Sequence, residues 1–176
     1  GRCLAQPFLG FAPLGCLHGE DCLGAIAAAT TTHVASFKSQ GLANTLWAFA
    51  TLGVDPGSDV LAAMAAEPNP KLASFNSQGL ANTLWAFATL GVDPGSDVLE
   101  AMAAETKTKL ASFKSQELAN AFWAFATLGV DPGSDVLVAI AAETKTKLVS
   151  FKSQGLANTL WAFATLVVDP GPYVLE

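Results

Sequence analysis

Residues 77–90 have the sequence SQGLANTLWAFATL, which is typical of a short amphipathic α-helix. At 100° per residue, four apolar side chains fall on one stripe of this helix, and Trp85 falls at its border. The stripe consists of Leu80, Leu84, Phe87 and Ala88, and the opposite, uncharged strip of Gln78, Asn82, Ala86 and Thr89. One helix cannot bury such a stripe by itself, so the sequence predicts helices that pack on one another.

The same segment recurs along the chain with a fixed period. Trp47, Trp85, Trp123 and Trp161 are each separated by 38 residues. A fixed period of this size is the signature of a repeat array. The repeats are 33–70, 71–108, 109–146 and 147–176, the last truncated, and 1–32 is interpreted as a degenerate, partial repeat. Together they are expected to form one domain.

Each repeat is predicted to contain a second helix, which begins at Asp93 in the second repeat. Ser77 and Asp93 are the expected N-caps of the two helices, and Gly91 is the expected left-handed residue after the first. Pro68 should end the second helix of the first repeat near Glu67, whereas the other copies should continue to about Ser112. No period-two pattern indicates a strand. The predicted fold is therefore all-α: an α-solenoid of stacked helix-turn-helix hairpins with a 38-residue period, whose tryptophans are buried between repeats.

Composition excludes several classes of protein. The chain of 176 residues is 51% hydrophobic and 14% charged, which does not fit a disordered tail, and its net charge of −6 does not fit a general polyanion binder. No apolar run is long enough to span a membrane. Cys16, His18 and Cys22 match no standard zinc spacing, so we expect no metal and no cofactor. With two histidines, one tyrosine and no catalytic constellation, the chain is not expected to be an enzyme.

The best candidates for ligand contacts are amides on the uncharged strip of the first helix. An amide offers both a donor and an acceptor, so it can pair with the edges of nucleic-acid bases. The candidates are Gln40, Asn44, Gln78, Asn82, Gln116, Asn120, Gln154 and Asn158. The alternative for the asparagines is structural, a ladder that bonds the backbone of the next repeat.

Lysines cluster between the end of each second helix and the next repeat. Stacking would align them into a basic edge, with the aspartates of the turns on an opposite, acidic edge. Four lysines have no partner within their own helix and are the candidate phosphate ligands: Lys107, Lys114, Lys145 and Lys152. The alternative is a solvated rim in which lysines serve their own glutamates, as Lys109 could serve Glu105. The tryptophans could also stack on bases, but a core role is favoured.

The run from Phe113 to Gly129, FKSQELANAFWAFATLG, resembles the octotricopeptide repeat family of 38-residue helical hairpins, found in algal organelle proteins and near RAP domains. The resemblance covers 33–176 well and 1–32 faintly. It implies sequence-selective binding of single-stranded RNA in a chloroplast or mitochondrion, with control of transcript stability, processing or translation.

Two other functions remain open. A protein–protein scaffold with a peptide in its groove would fit the acidic total and the uniform repeats, and protein partners would then replace RNA. A truncated or decayed gene product would fit a chain that starts with Gly1 and carries Val167 in place of the usual glycine. We expect the chain to be a fragment of a longer protein.

Overall fold

The computed structural model describes residues 19–33, 36–58 and 72–166, and all regular structure in these ranges is helical. The all-α prediction is therefore confirmed for this part of the chain. The predicted helix end at Glu67, and residues Cys16 and His18, lie outside the described residues. No helix in the described ranges is long and apolar enough to cross a membrane.

Seven α-helices lie in the described ranges. They are α1 Gly19–His33, α2 Ser39–Leu52, α3 Ser77–Leu90, α4 Ser96–Lys109, α5 Ser115–Leu128, α6 Ser134–Lys147 and α7 Ser153–Thr165. Short 3-10 turns, Leu110–Ser112 and Leu148–Ser150, continue α4 and α6. The expected end near Ser112 is thus reached, but its last turn is tighter than an α-helix.

The first helices of successive repeats form the main packing layer. We call α2, α3, α5 and α7 the A helices, and α4 and α6 the B helices. The most extensive contacts join α2 to α3, α3 to α5 and α5 to α7, while the B helices contact their own A helices and each other less extensively. The predicted apolar stripe of α3 is fully buried in this layer, so its assignment is confirmed.

The C-terminal end of α3 is as predicted from the sequence, whereas the N-terminal caps of α3 and α4 differ from the prediction. Gly91 adopts φ 67°, as predicted for the residue after α3. The cap before α3 is Asn76 rather than Ser77, and its side chain accepts a 2.8 Å hydrogen bond from the Gly79 amide. Asp93 does not cap α4 either. Its carboxylate accepts from the Gly95 amide, which closes a turn before the helix begins at Ser96.

Polar side chains join each repeat to the next. The Ser77 hydroxyl donates to the Ser112 carbonyl at 3.2 Å, and Ser39 and Ser115 make the equivalent bonds in their repeats. Lys109 donates to the carbonyls of Ala73 and Phe75, both at 2.8 Å. These bonds satisfy backbone acceptors near the start of a repeat, with serine donors from the preceding repeat and lysine donors from the following one.

Candidate functional site

One strip of each A helix remains open to solvent after packing. In α3, the residues that are not buried on this side are Gln78, Asn82, Trp85 and Thr89. Their spacings of 4, 3 and 4 residues place them within about 60° on the helix. The sequence analysis placed Ala86 on this strip, and that was wrong. Ala86 is fully buried because α3 has a neighbouring A helix on each side.

The other A helices carry the same four residue types on the equivalent strip. They are Gln40, Asn44, Trp47 and Thr51 in α2, Gln116, Asn120, Trp123 and Thr127 in α5, and Gln154, Asn158, Trp161 and Thr165 in α7. We call the four strips together the open face. Because the A helices pack in chain order, the open face runs across at least four repeats within the described residues.

The predicted amides all lie on the open face and have no partner among the described residues. The four glutamines and Asn44 are exposed, and Asn82, Asn120 and Asn158 are half-buried. Within the described ranges, none of these eight amides makes a hydrogen bond, so the asparagine ladder is not formed there. The serines at the helix starts make the bonds between repeats instead. The amides are therefore available to a ligand.

The tryptophans are not core residues, contrary to the expectation from sequence. The side chains of Trp47 and Trp161 are 45% and 46% exposed, and Trp85 and Trp123 are half-buried against the edge of the core. In each A helix the phenylalanine two residues later is buried in the core, and α5 adds a second core aromatic, Phe122. The helical spacing contained this signal, because each tryptophan follows the strip asparagine by three residues.

Two of the predicted phosphate ligands, Lys114 and Lys152, directly precede α5 and α7. Both side chains are exposed, and neither ammonium group has a partner among the described residues. Lys38 has the equivalent place before α2 and is also exposed and without a partner there. In the second repeat Asn76 takes this position. Three of the four A helices thus begin beside an available cation.

Lys107 has no partner within its own helix, as predicted, but it pairs with a residue of the next repeat. Its ammonium lies 2.5 Å from the Asp135 carboxylate of the next repeat, and Lys145 also takes part in an interaction. The hydrogen bond and charge of Lys107 hold the pKa of Asp135 below its ordinary value. This pair also contradicts the predicted separation into a basic and an acidic edge, because the end of α4 meets the start of α6.

Two other lysines pair with glutamates of their own helices, as the alternative interpretation of a solvated rim predicted. Lys109 pairs with Glu105 at 2.8 Å and Lys147 with Glu143 at 2.6 Å, four residues apart in each case. The same ammonium groups also donate to backbone carbonyls of the preceding repeat. These lysines are therefore structural, and their charge is not available to a ligand.

Acidic side chains lie mostly away from the open face. Asp55, Asp93 and Asp131 each accept a backbone hydrogen bond in the turn that follows an A helix. Within the A helices, the one carboxylate is Glu117, which accepts from the Lys114 amide at 3.0 Å. The local charge is thus positive at the starts of α2 and α7, whereas Glu117 balances Lys114 at the start of α5 and Asn76 adds no charge before α3. No cluster of three potential metal ligands occurs among the described residues.

Comparison with known proteins gives one informative result for this chain. The family model described as the N-terminal domain of the Tbc2 translation factor matches residues 19–115 and again residues 96–172. No curated protein matches the chain. The two matches overlap and together contain all seven helices, so the family's pattern recurs along the array. The chain therefore belongs to the family of the Tbc2 translation factor N-terminal domain.

Proposed function

We propose that this chain binds single-stranded RNA on its open face and takes part in the post-transcriptional control of organellar transcripts. The observation that carries the proposal is the set of eight amides on four adjacent helices, none with a partner among the described residues. The chain would act by occupying the transcript, with no catalytic step, metal or cofactor. Its place of action would be the chloroplast or the mitochondrion.

The repeat geometry suits an extended nucleic acid. We propose that the hairpins continue as an α-solenoid with a 38-residue period, in which neighbouring A helices lie about 8–10 Å apart. This spacing can hold one splayed nucleotide per repeat, whose base edge would pair with an asparagine or glutamine. Because the amides are the same in every repeat, the expected preference is for a run of one base.

The phosphates would be held by lysines at the start of the A helices. Lys114 and Lys152 remain the strongest candidates, and Lys38 joins them on structural grounds. Lys107 and Lys145 stay predicted ligands, but Lys107 would first have to leave Asp135. The family match supports a role in translation, because its model is named for a translation factor.

The direct test is fluorescence anisotropy of labelled single-stranded RNA oligomers at two salt concentrations. We expect saturable binding that weakens as salt rises, since phosphate contacts release counterions. Lys114→Gln should lower affinity and reduce the salt slope by about 0.7, the value for one lost contact with a single strand. Lys109→Gln removes the same charge from a lysine that is paired inside the protein and is the matched control, with a smaller expected effect.

The amides are tested by Asn82→Ala combined with Asn120→Ala. These amides have no partner in the described part of the chain, so the double variant should keep its thermal stability and lose affinity for RNA. Unchanged RNA affinity would show that these asparagines do not contact the RNA. If the parent chain binds no RNA at low salt but binds an extended peptide, the protein–protein scaffold replaces this proposal.

A further inference from the structure

We infer that the four tryptophans of the open face are stacking platforms for the unpaired bases of the RNA. This inference rests on the proposed function and adds the contact that would supply most of the affinity. It concerns Trp47, Trp85, Trp123 and Trp161, which are all the tryptophans of the chain.

The first argument is the contrast between neighbouring aromatic side chains. Phe49 and Phe163 lie two residues after Trp47 and Trp161, and they are buried in the core. The indoles on the same helices are about half exposed. A large aromatic ring left in water contributes little to folding, whereas burial of the same ring would stabilise the fold. Packing of the described residues therefore uses only part of each indole surface and leaves the rest open to solvent.

The second argument is that the two central indoles are held on one side and open on the other. Trp85 and Trp123 pack against the edge of the core, which limits their orientations. No indole N–H makes a hydrogen bond within the described ranges, and the ring contact recorded there joins Phe122 to Phe163 instead. A ring that is partly fixed by packing loses little conformational entropy when a second ring stacks on it.

The third argument is the polar group beside each ring. Asn44 lies one helical turn before Trp47, and the same pair recurs in the other three A helices. In three repeats the threonine four residues after the tryptophan already has a hydrogen-bond partner. Thr51, Thr127 and Thr165 each donate to the backbone carbonyl of that tryptophan at 2.8 Å. The ligand-facing groups are then one π surface and two amides per repeat, of which the asparagine is nearer to the ring in sequence. That combination can stack a base and bond its edge.

Charge favours a nucleic acid over a basic peptide as the occupant. Aromatic rings can also bind cations, but a cationic peptide would need carboxylates beside them. The strips carry none, and the charges near the helix starts are the lysines Lys38, Lys114 and Lys152 against one carboxylate, Glu117. The lysines are complementary to phosphates and would repel lysine or arginine side chains.

Intrinsic fluorescence measures the stacking directly, since every tryptophan lies on the open face. A non-fluorescent single-stranded RNA oligomer is titrated into the chain, and its anisotropy curve is measured in parallel with a labelled copy. We expect tryptophan emission to fall and to saturate at the same RNA concentration as the anisotropy. Anisotropy that rises without quenching would overturn the stacking inference and leave RNA binding in place. Absence of any anisotropy change would overturn the proposed function itself.

Variants at the two most exposed positions separate stacking from simple apolar contact. Trp47→Leu with Trp161→Leu should weaken RNA binding by at least about tenfold, because one base–aromatic stack contributes this much or more. Trp47→Phe with Trp161→Phe keeps a π surface and should stay within about threefold of the parent. Val149→Ala, at a fully exposed apolar side chain outside the open face, is the control.

Circular dichroism of each variant checks that the helices are retained, which the exposure of Trp47 and Trp161 leads us to expect. If the double leucine variant binds RNA as tightly as the parent, the inference is contradicted. It is also contradicted if the double leucine and double phenylalanine variants lose the same RNA affinity. An extended lysine-rich peptide that quenches the emission at lower concentration than RNA would assign the open face to a peptide.

Discussion

At the scale of single residues, lysines of equal charge have different roles in this protein. Lys109 pairs with Glu105 in its own helix and with carbonyls of the previous repeat, Lys107 pairs with Asp135 of the next repeat, and Lys114 has no partner in the described part of the chain. The pair four residues apart was predictable from sequence because helical geometry fixes it. The contacts between repeats depend on how α4 approaches α6, which no local pattern encodes.

The Lys107–Asp135 pair predicts a measurable titration. Lys107 lowers the pKa of Asp135, so the folded value lies below the unfolded one. The pair's small stabilisation is then fully present above the unfolded pKa and is lost as pH falls through the folded pKa. In carboxyl NMR titrations the midpoint of Asp135 should lie below that of an ordinary aspartate and should rise in Lys107→Gln. Lys109→Gln should leave it unchanged, and an unshifted midpoint in Lys107→Gln would contradict the assignment.

At the scale of elements, the A helices end as predicted but begin one residue earlier. Glycine after α3 was predictable because a left-handed residue there is costly for other side chains. At the start of α3, Asn76 and Ser77 are adjacent candidate caps, and contacts with the next repeat decide which of them caps the helix. The Ser77 hydroxyl is used by the Ser112 carbonyl of the next repeat, while the Asn76 amide remains free to accept from Gly79.

Asn76→Lys exchanges a helix cap for a cation and should change two properties in opposite directions. Loss of the cap should lower the free energy of unfolding by about 1 kcal/mol, measured by urea denaturation. The new lysine would complete the series Lys38, Lys114 and Lys152, so RNA affinity at low salt should rise.

Asn76→Ala is the matched control for this exchange, since it removes the cap and adds no charge. It should lose similar stability without gaining RNA affinity. If Asn76→Lys binds RNA no more tightly than Asn76→Ala, the lysines at the helix starts do not contact phosphates.

At the scale of the whole molecule, the core consists of contacts between repeats. Phe122 of α5 meets Phe163 of α7 edge to face, with ring centroids 4.5 Å apart, and both side chains are buried. In repeat arrays, stability is close to a sum of repeat terms and nearest-neighbour interfaces. Loss of one such contact should therefore destabilise the neighbouring helix most.

Phe122→Ala should lower the free energy of unfolding by about 3–5 kcal/mol, because a fully buried ring leaves a cavity between two repeats. Hydrogen exchange should show the largest loss of protection in α7. Phe122→Leu, which restores the residue found at the equivalent Leu46 and Leu84, should cost less than about 1.5 kcal/mol. Uniform loss of protection over all A helices in Phe122→Ala would show a single cooperative unit instead.

The contribution of sequence alone is clearest where the chain repeats itself, since residues 39–52, 77–90 and 153–166 are identical. Each of the three segments is helical, because hydrogen bonds within a helix and its apolar stripe are local properties. Their burial differs, since Leu84 is fully buried whereas Leu160 is 50% exposed. Leu84 belongs to α3, which packs extensively against both α2 and α5, whereas the extensive contacts of α7 within the described ranges are with α5. Local sequence thus determined the helices and their period, whereas the number of neighbouring helices decided which side chains were buried and which stayed open to a ligand.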